Sequence, residues 1–238
     1  MTKIYAKTQY ADNMIVQFGN WIFHIRNFLF PVFYIALFIP SQKVFHDQVV
    51  ADLLGFFAIG AGILIRSITI GLVYIIRGGK NRQIYADDLV AGGIYSLCRN
   101  PMYLGNILLL LGFGIFTNSL LFLLLFFPLF VFFYYSIIKA EEAFLYNKFG
   151  QQFESYRTSV NALLPEFGQL RNAFRGHEFN WKKVLKKEYN SLFIYFAGIL
   201  LILFYQNRIS LNVFITVFIV FGFLYIWVKL LKYQKKLN

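Results

Sequence analysis

This 238-residue chain has one cysteine, Cys98, so it cannot form an internal disulfide or a cysteine-based zinc cage. Its three histidines, His24, His46 and His177, lie far apart and lack ligand spacing, so no metal site is expected. Charge is scarce at 14% of residues, against about a quarter in a soluble domain. No strand, Gly-rich turn and helix unit is visible, which argues against a Rossmann cofactor site. Nor does Met1 to Gln17 read as a cleavable signal, since Lys3, Lys7 and Asp12 interrupt it and it holds no apolar core.

What is abundant is apolar surface. Hydrophobic residues make up 58% of the chain, aromatics 21%, and mean hydropathy is +0.57. They come in long blocks, the pattern of membrane spans. Six segments follow: Asn27–Pro40, Val49–Ile76, Pro101–Phe116, Leu120–Ile138, Ser191–Tyr205 and Leu211–Val228. A bilayer core needs about 20 helical residues, so the first, third and fifth are short and either extend into polar flanks or cross only in part. The expected fold is all-α and polytopic, one domain over 1–238. It divides into N-terminal helices (1–84), a central hairpin with its following helix (85–167), a basic interfacial segment (168–190) and two C-terminal spans (191–238).

The net charge of +12 is distributed unevenly. Twenty of the 23 Lys and Arg fall in the N-terminal segment, the 77–100 loop, the 139–190 segment and the tail. The opposite loops hold only Lys43 and Arg208, and Arg66 lies inside a span. Such a bias places both termini and both long loops in the cytoplasm, as in a bacterial inner-membrane protein. It also accounts for the positive charge through anionic headgroups, without nucleic acid.

Two polar features stand at the mouths of the hairpin. Pro101 suits a helix start, and Arg99 and Asn100 precede it. Thr117-Asn118-Ser119 makes a minimal turn, and the returning leg brings Glu141-Glu142 back to the face carrying Arg99. The helix is expected to continue to Phe149 with Gly150 as its C-cap. Adjacent helix positions are about 100° apart, so one glutamate at most points at a given ligand atom. Carboxylates at such a place are costly unless something binds there.

The stretch Gly93-Ile94-Tyr95-Ser96-Leu97-Cys98-Arg99-Asn100-Pro101-Met102-Tyr103-Leu104-Gly105 resembles the Arg-His-Pro-x-Tyr-x-Gly signature of isoprenylcysteine carboxyl methyltransferases and related phospholipid methyltransferases. Glu141-Glu142, Phe149-Gly150, Tyr156, Val160 and Pro165 resemble the second half of that family's pattern, so the likeness covers about residues 85–167. It implies an integral-membrane methyltransferase using S-adenosylmethionine (SAM). Arg99, Asn100, Pro101, Tyr103, Gly105, Glu141 and Glu142 would enclose the cofactor at the cytoplasmic end of the hairpin, with Arg99 also counted as catalytic. Asn100 replaces the usual His, which removes imidazole chemistry but keeps a hydrogen-bonding amide. Phe153 stands where a Tyr is common, a packing change.

An Arg at membrane depth is a functional candidate by default, and Arg66 reads as a catalytic counter-charge for a substrate phosphate or a cofactor carboxylate. Phe179, Trp181, Lys182 and Lys183 read as an interfacial segment that meets anionic phospholipid headgroups. The outline outside the motif resembles bacterial lipid A 1-phosphate methyltransferases, which implies a lipid phosphate as methyl acceptor. Prenylcysteine carboxylate and phosphatidylethanolamine amine are the alternatives. From other classes, a sterol-reductase-like NADPH enzyme and a non-enzymatic membrane protein remain. Oligomeric state is open.

Overall fold

In a computed structural model, residues 13–72, 84–175 and 178–233 are described. Lys3, Lys7, Asp12, Arg77, Lys80, Arg82, His177, Lys235 and Lys236, used in the sequence reading, lie outside them, as does the end of the Val49–Ile76 segment. The elements in order are α1 (Met14–Ala36), α2 (Gln48–Leu72), a 3-10 turn (Gly93–Ser96), α3 (Pro101–Phe116), a π-turn (Phe122–Phe126) and α4 (Phe127–Phe149). They continue with α5 (Gln151–Ser159), α6 (Leu170–Phe174), α7 (Trp181–Tyr205) and α8 (Leu211–Tyr233). Among the described residues the only β pairing is an isolated bridge between Lys43 and Ser119.

Four helices are long and apolar enough to cross a membrane: Gln48–Leu72, Phe122–Phe149, Trp181–Tyr205 and Leu211–Tyr233. The chain is an integral membrane protein. The first expected segment is the second half of α1, capped by Asn13, whose side chain accepts from the Ile15 N–H at 2.9 Å. Arg26, expected before the first span, lies inside α1 with its guanidinium 3.7 Å from the centre of the Phe23 ring. The fifth segment lengthens to 25 residues because Asn180 caps the helix ten residues earlier than the apolar run begins. Only α3 stays short. Its 16 residues span about 24 Å, less than the ~30 Å hydrocarbon core.

The hairpin turn forms as the Thr117-Asn118-Ser119 sequence requires, with Asn118 at φ 55°. Its legs, however, pack mainly on other helices: α3 against α2, and α4 against α1. Glycine explains the first pair. A Cβ on Gly62 would stand 2.7 Å from the Gly105 carbonyl oxygen, and one on Gly112 would stand 2.7 Å from the Ile59 nitrogen. Such close backbones are how helices associate where lipid removes the hydrophobic drive. Phe113, Phe116, Phe122 and Phe130 fill the core between the layers.

One end of the bundle gathers the 37–47 loop, the hairpin turn and the 206–210 loop. Asn118 Oδ1 accepts from the Val44 and Phe45 N–H groups, and Gln206 Nε2 donates to the Thr117 carbonyl at 3.1 Å. Arg208 pairs there with Asp52. The other end carries the 84–100 loop and residues 150–175, and the candidate site lies at that end.

Candidate active site

The site is built where three segments meet. Gly93 at φ 61° turns the chain into the 3-10 helix, and α3 then starts at Pro101. Residues 157–166 return from α5 and clamp that entry. The Arg99 N–H donates to the Asn161 carbonyl at 2.8 Å, and the Asn100 N–H to Ala162 at 3.1 Å. The Glu166 N–H donates to the Leu97 carbonyl at 2.9 Å, and the Tyr156 hydroxyl to the Tyr95 carbonyl at 2.8 Å. Gly150, at φ 56° and ψ −126°, makes the sharp joint between α4 and α5 that allows this return.

Inside the clamp, Arg99 donates to Glu142 Oε1 at 2.5 Å, to the Arg157 carbonyl at 2.8 Å and to the Val160 carbonyl. Lys139 also reaches Glu142, at 3.3 Å. One turn into α3, the Tyr103 hydroxyl donates to Glu141 Oε1 at 2.5 Å. Arg99, Asn100, Glu141 and Glu142 are all buried. Both glutamates are therefore used, on separate partners, as adjacent positions on one helix require.

A narrow cleft of about 40 Å³ opens here, lined by Tyr95, Arg99, Asn100, Pro101, Met102, Tyr103 and Glu141. The Asn100 amide donates to the Ala162 carbonyl at 3.1 Å, which orients the side chain at the rim. The Cys98 thiol beside it is pushed up to about 11 by burial, offset in part by a backbone hydrogen bond from Asn100 and by the Arg99 charge.

Several expected site residues stand elsewhere. Gly105 faces Gly62 and the Arg66 stem, since a Cβ on it would lie 2.6 Å from Arg66 Cγ; it is a packing position outside the cleft lining. Glu142 lies behind the cleft, holding Arg99. Arg66 is also outside the lining, and its charge is already met: Nε and Nη2 donate to the two oxygens of buried Glu188 at 3.1 and 2.6 Å. Arg66, expected as a counter-charge for a substrate phosphate or a cofactor carboxylate, thus holds an internal partner in this structure. Trp181, Lys182 and Lys183 form the first turn of α7, with Trp181 69% exposed, so the basic stretch is part of a span and not a separate segment. The half-buried Phe179 ring covers Gly71 at the end of α2 and meets the Trp181 ring edge-on at 4.4 Å. Phe153 is core, packed with Ala86, Leu145 and Tyr156.

Sequence reasoning missed Asn106, Tyr134, Glu188 and the carbonyls of 157–162. Asn106 stood as a lone amide in an apolar run, which is a signal. The carbonyls carry no residue-type signal at all.

Fold and site together define a helical membrane protein with an acid-lined, arginine-buttressed recess at the mouth of a helix pair. Residues 53–152, about two-fifths of the chain, match the phospholipid methyltransferase family model, the family that the sequence motif resembles. The chain is similar over 96 residues to the cobalt-zinc-cadmium resistance protein CzcN of Cupriavidus metallidurans, at 35% identity, covering 40% of this chain and 42% of that protein. It is similar over 85 residues to the nickel-cobalt-cadmium resistance protein NccN of Alcaligenes xylosoxydans xylosoxydans, at 29% identity, covering 36% and 39%. It thus spans about two-fifths of the length of these relatives. No solved structure matches. Among the described residues there is no group of three or more His, Cys, Asp or Glu placed to hold a metal ion.

Proposed function

We propose that this protein uses SAM to methylate an anionic group on a membrane lipid, with a lipid phosphate such as the lipid A 1-phosphate as acceptor. The observation that carries the reading is the cleft itself, where the buried residues Glu141 and Arg99 line one recess together with Tyr103, whose hydroxyl donates to Glu141. The chemistry of this donor set fits SAM, which bears an ammonium, a carboxylate and a sulfonium. Glu141 would hold the ammonium, Arg99 and Asn100 the carboxylate or the base edge, and Tyr103 an aromatic face for the cation. Glu142 would act on Arg99, keeping its guanidinium in place.

Bound SAM supplies an electrophilic methyl group on a sulfonium. The residues of the chain then have two tasks. Arg99, Tyr103 and Glu141 align donor and acceptor, and alignment alone can lower a barrier by about 7–11 kcal/mol. A bound donor would displace water from the α3 mouth, which would remove the shell that blunts an anionic oxygen. An acceptor that is already an anion needs no general base, and the one carboxylate in the cleft lining, Glu141, would be engaged by the ammonium of SAM. A phosphatidylethanolamine ammonium would need one, so the anionic acceptor is preferred. Prenylcysteine carboxylate remains the second reading, since it is also a membrane-embedded anion.

The basic start of α7 would draw the protein and its acceptor to anionic headgroups on the cytoplasmic side of the inner membrane. A phosphate monoester, once methylated, cannot take its second negative charge, so the membrane surface would hold divalent cations less strongly. That consequence is compatible with relatives named for metal resistance.

The test is incubation of host membranes with methyl-labelled SAM, with and without the protein, followed by separation of lipid from protein. Protein-dependent label in a phosphate-bearing lipid is the expected outcome. Label found only in a base-labile protein ester would transfer the assignment to prenylcysteine, and label in neither fraction would end it.

A further inference from the structure

We propose that Glu188 is a positioning residue for the cleft, acting through Arg66, Asn106 and Tyr134 on Tyr103. The bonds that make the connection are continuous across four helices. Glu188 on α7 accepts from Nε and Nη2 of Arg66 on α2, at 3.1 and 2.6 Å. Arg66 Nη1 donates to Asn106 Oδ1 on α3. Asn106 Nδ2 donates to the Tyr134 hydroxyl on α4 at 2.8 Å. The Tyr134 ring meets the Tyr103 ring at 5.0 Å and 47°, and the Tyr103 hydroxyl donates to Glu141 at 2.5 Å.

Each link has a direction dictated by chemistry. A bidentate carboxylate fixes the plane of a guanidinium, which a single contact would not. Arg66 has donors only, so Asn106 must turn its oxygen toward Arg66 and its NH₂ toward Tyr134. Without the arginine the amide could sit either way round. An aromatic pair in a tilted arrangement then sets the face that Tyr103 shows to the cleft. Gly105 leaves the slot for the Arg66 stem, which explains why a small residue stands beside the polar chain. Removing Glu188 leaves a buried cation with no counter-charge, and the guanidinium must then seek another partner or the interface.

The consequence for the cofactor rests on the proposed function, whereas the brace itself does not. The experiment separates the two. The full chain in detergent, carrying 3-fluorotyrosine at position 103 alone, is studied by fluorine NMR and by calorimetric titration with SAM, in Glu188→Gln, Asn106→Leu and Tyr134→Phe variants. Thermal unfolding identifies the folded ones, and Tyr134→Phe, which removes one oxygen and keeps the ring, carries the test if Glu188→Gln does not fold. The expected result is a shifted or broadened resonance for residue 103 in every folded variant, with SAM Kd raised about three- to tenfold, roughly 0.7–1.4 kcal/mol. An unchanged resonance in folded variants overturns the brace. A moved resonance with unaltered Kd overturns its role in cofactor positioning. A moved resonance in a protein whose parent chain binds no SAM leaves the brace standing and defeats the proposed function instead.

Discussion

Glu141 and Glu142 are neighbours with different duties, and single substitutions separate them. Glu141→Gln keeps an oxygen for the Tyr103 hydroxyl but loses the charge facing the cleft. It should weaken SAM binding at least tenfold by calorimetry while thermal unfolding stays near that of the parent; normal affinity would remove Glu141 from the site. Glu142→Gln strands a buried Arg99 beside two carbonyls, and breaking such a pair costs about 3–5 kcal/mol. A large drop in melting temperature is the expected readout. Cys98 gives a third test. Its thiol, at about 11, stays protonated at neutral pH and is buried, so maleimide should label it only after denaturation. Because the folded value lies above the unfolded one, its contribution to stability is intact below about pH 9 and is lost as pH rises toward 11.

At the scale of elements, α2 and α3 are held together by the absence of side chains. Gly62→Val would drive a Cβ to 2.7 Å from the Gly105 carbonyl oxygen, where backbone cannot yield. A loss of about 1–3 kcal/mol or more is expected from thermal unfolding in detergent. Gly60 provides the control, since nothing lies within 4 Å of a Cβ there. Gly60→Ala should be neutral or stabilise α2 by up to ~1 kcal/mol. If both changes behaved alike, the close-packed seam would not be what joins the pair. The hairpin Leu-Gly-Asn run was legible as a helix from its apolar pattern, but not the partner it chose. Periodicity reports a buried face and is silent on which helix covers it.

Across the whole molecule, the charge bias and the bundle ends agree. Lys43 and Arg208 lie at the end of the hairpin turn, while Arg99, Lys139, Lys148 and Arg157 lie at the end of the cleft. Single cysteines at position 43 and position 161, each in a Cys98→Ser background, should therefore react with a membrane-impermeant thiol reagent from opposite faces of intact membrane vesicles. Labelling of both from one face would refute the arrangement. The α8 helix completes the outline: none of its residues is buried, and its apolar rows are positioned to meet lipid, with Phe221 stacked on Phe196 of α7 at 3.4 Å.

Sequence alone determined that this chain is a set of membrane helices, that one hairpin carries polar groups at its mouth, and that Glu141, Arg99 and Tyr103 belong together, because apolar runs, a turn and a spaced motif are local facts. Tertiary structure decided the partners of the charges. Arg66 met Glu188, 122 positions away, and Arg99 met the carbonyls of 157 and 160, pairings that no periodicity encodes. The physical reason is that a buried charge in an apolar bundle must find compensation wherever the packing brings it, and packing is a property of the assembled helices.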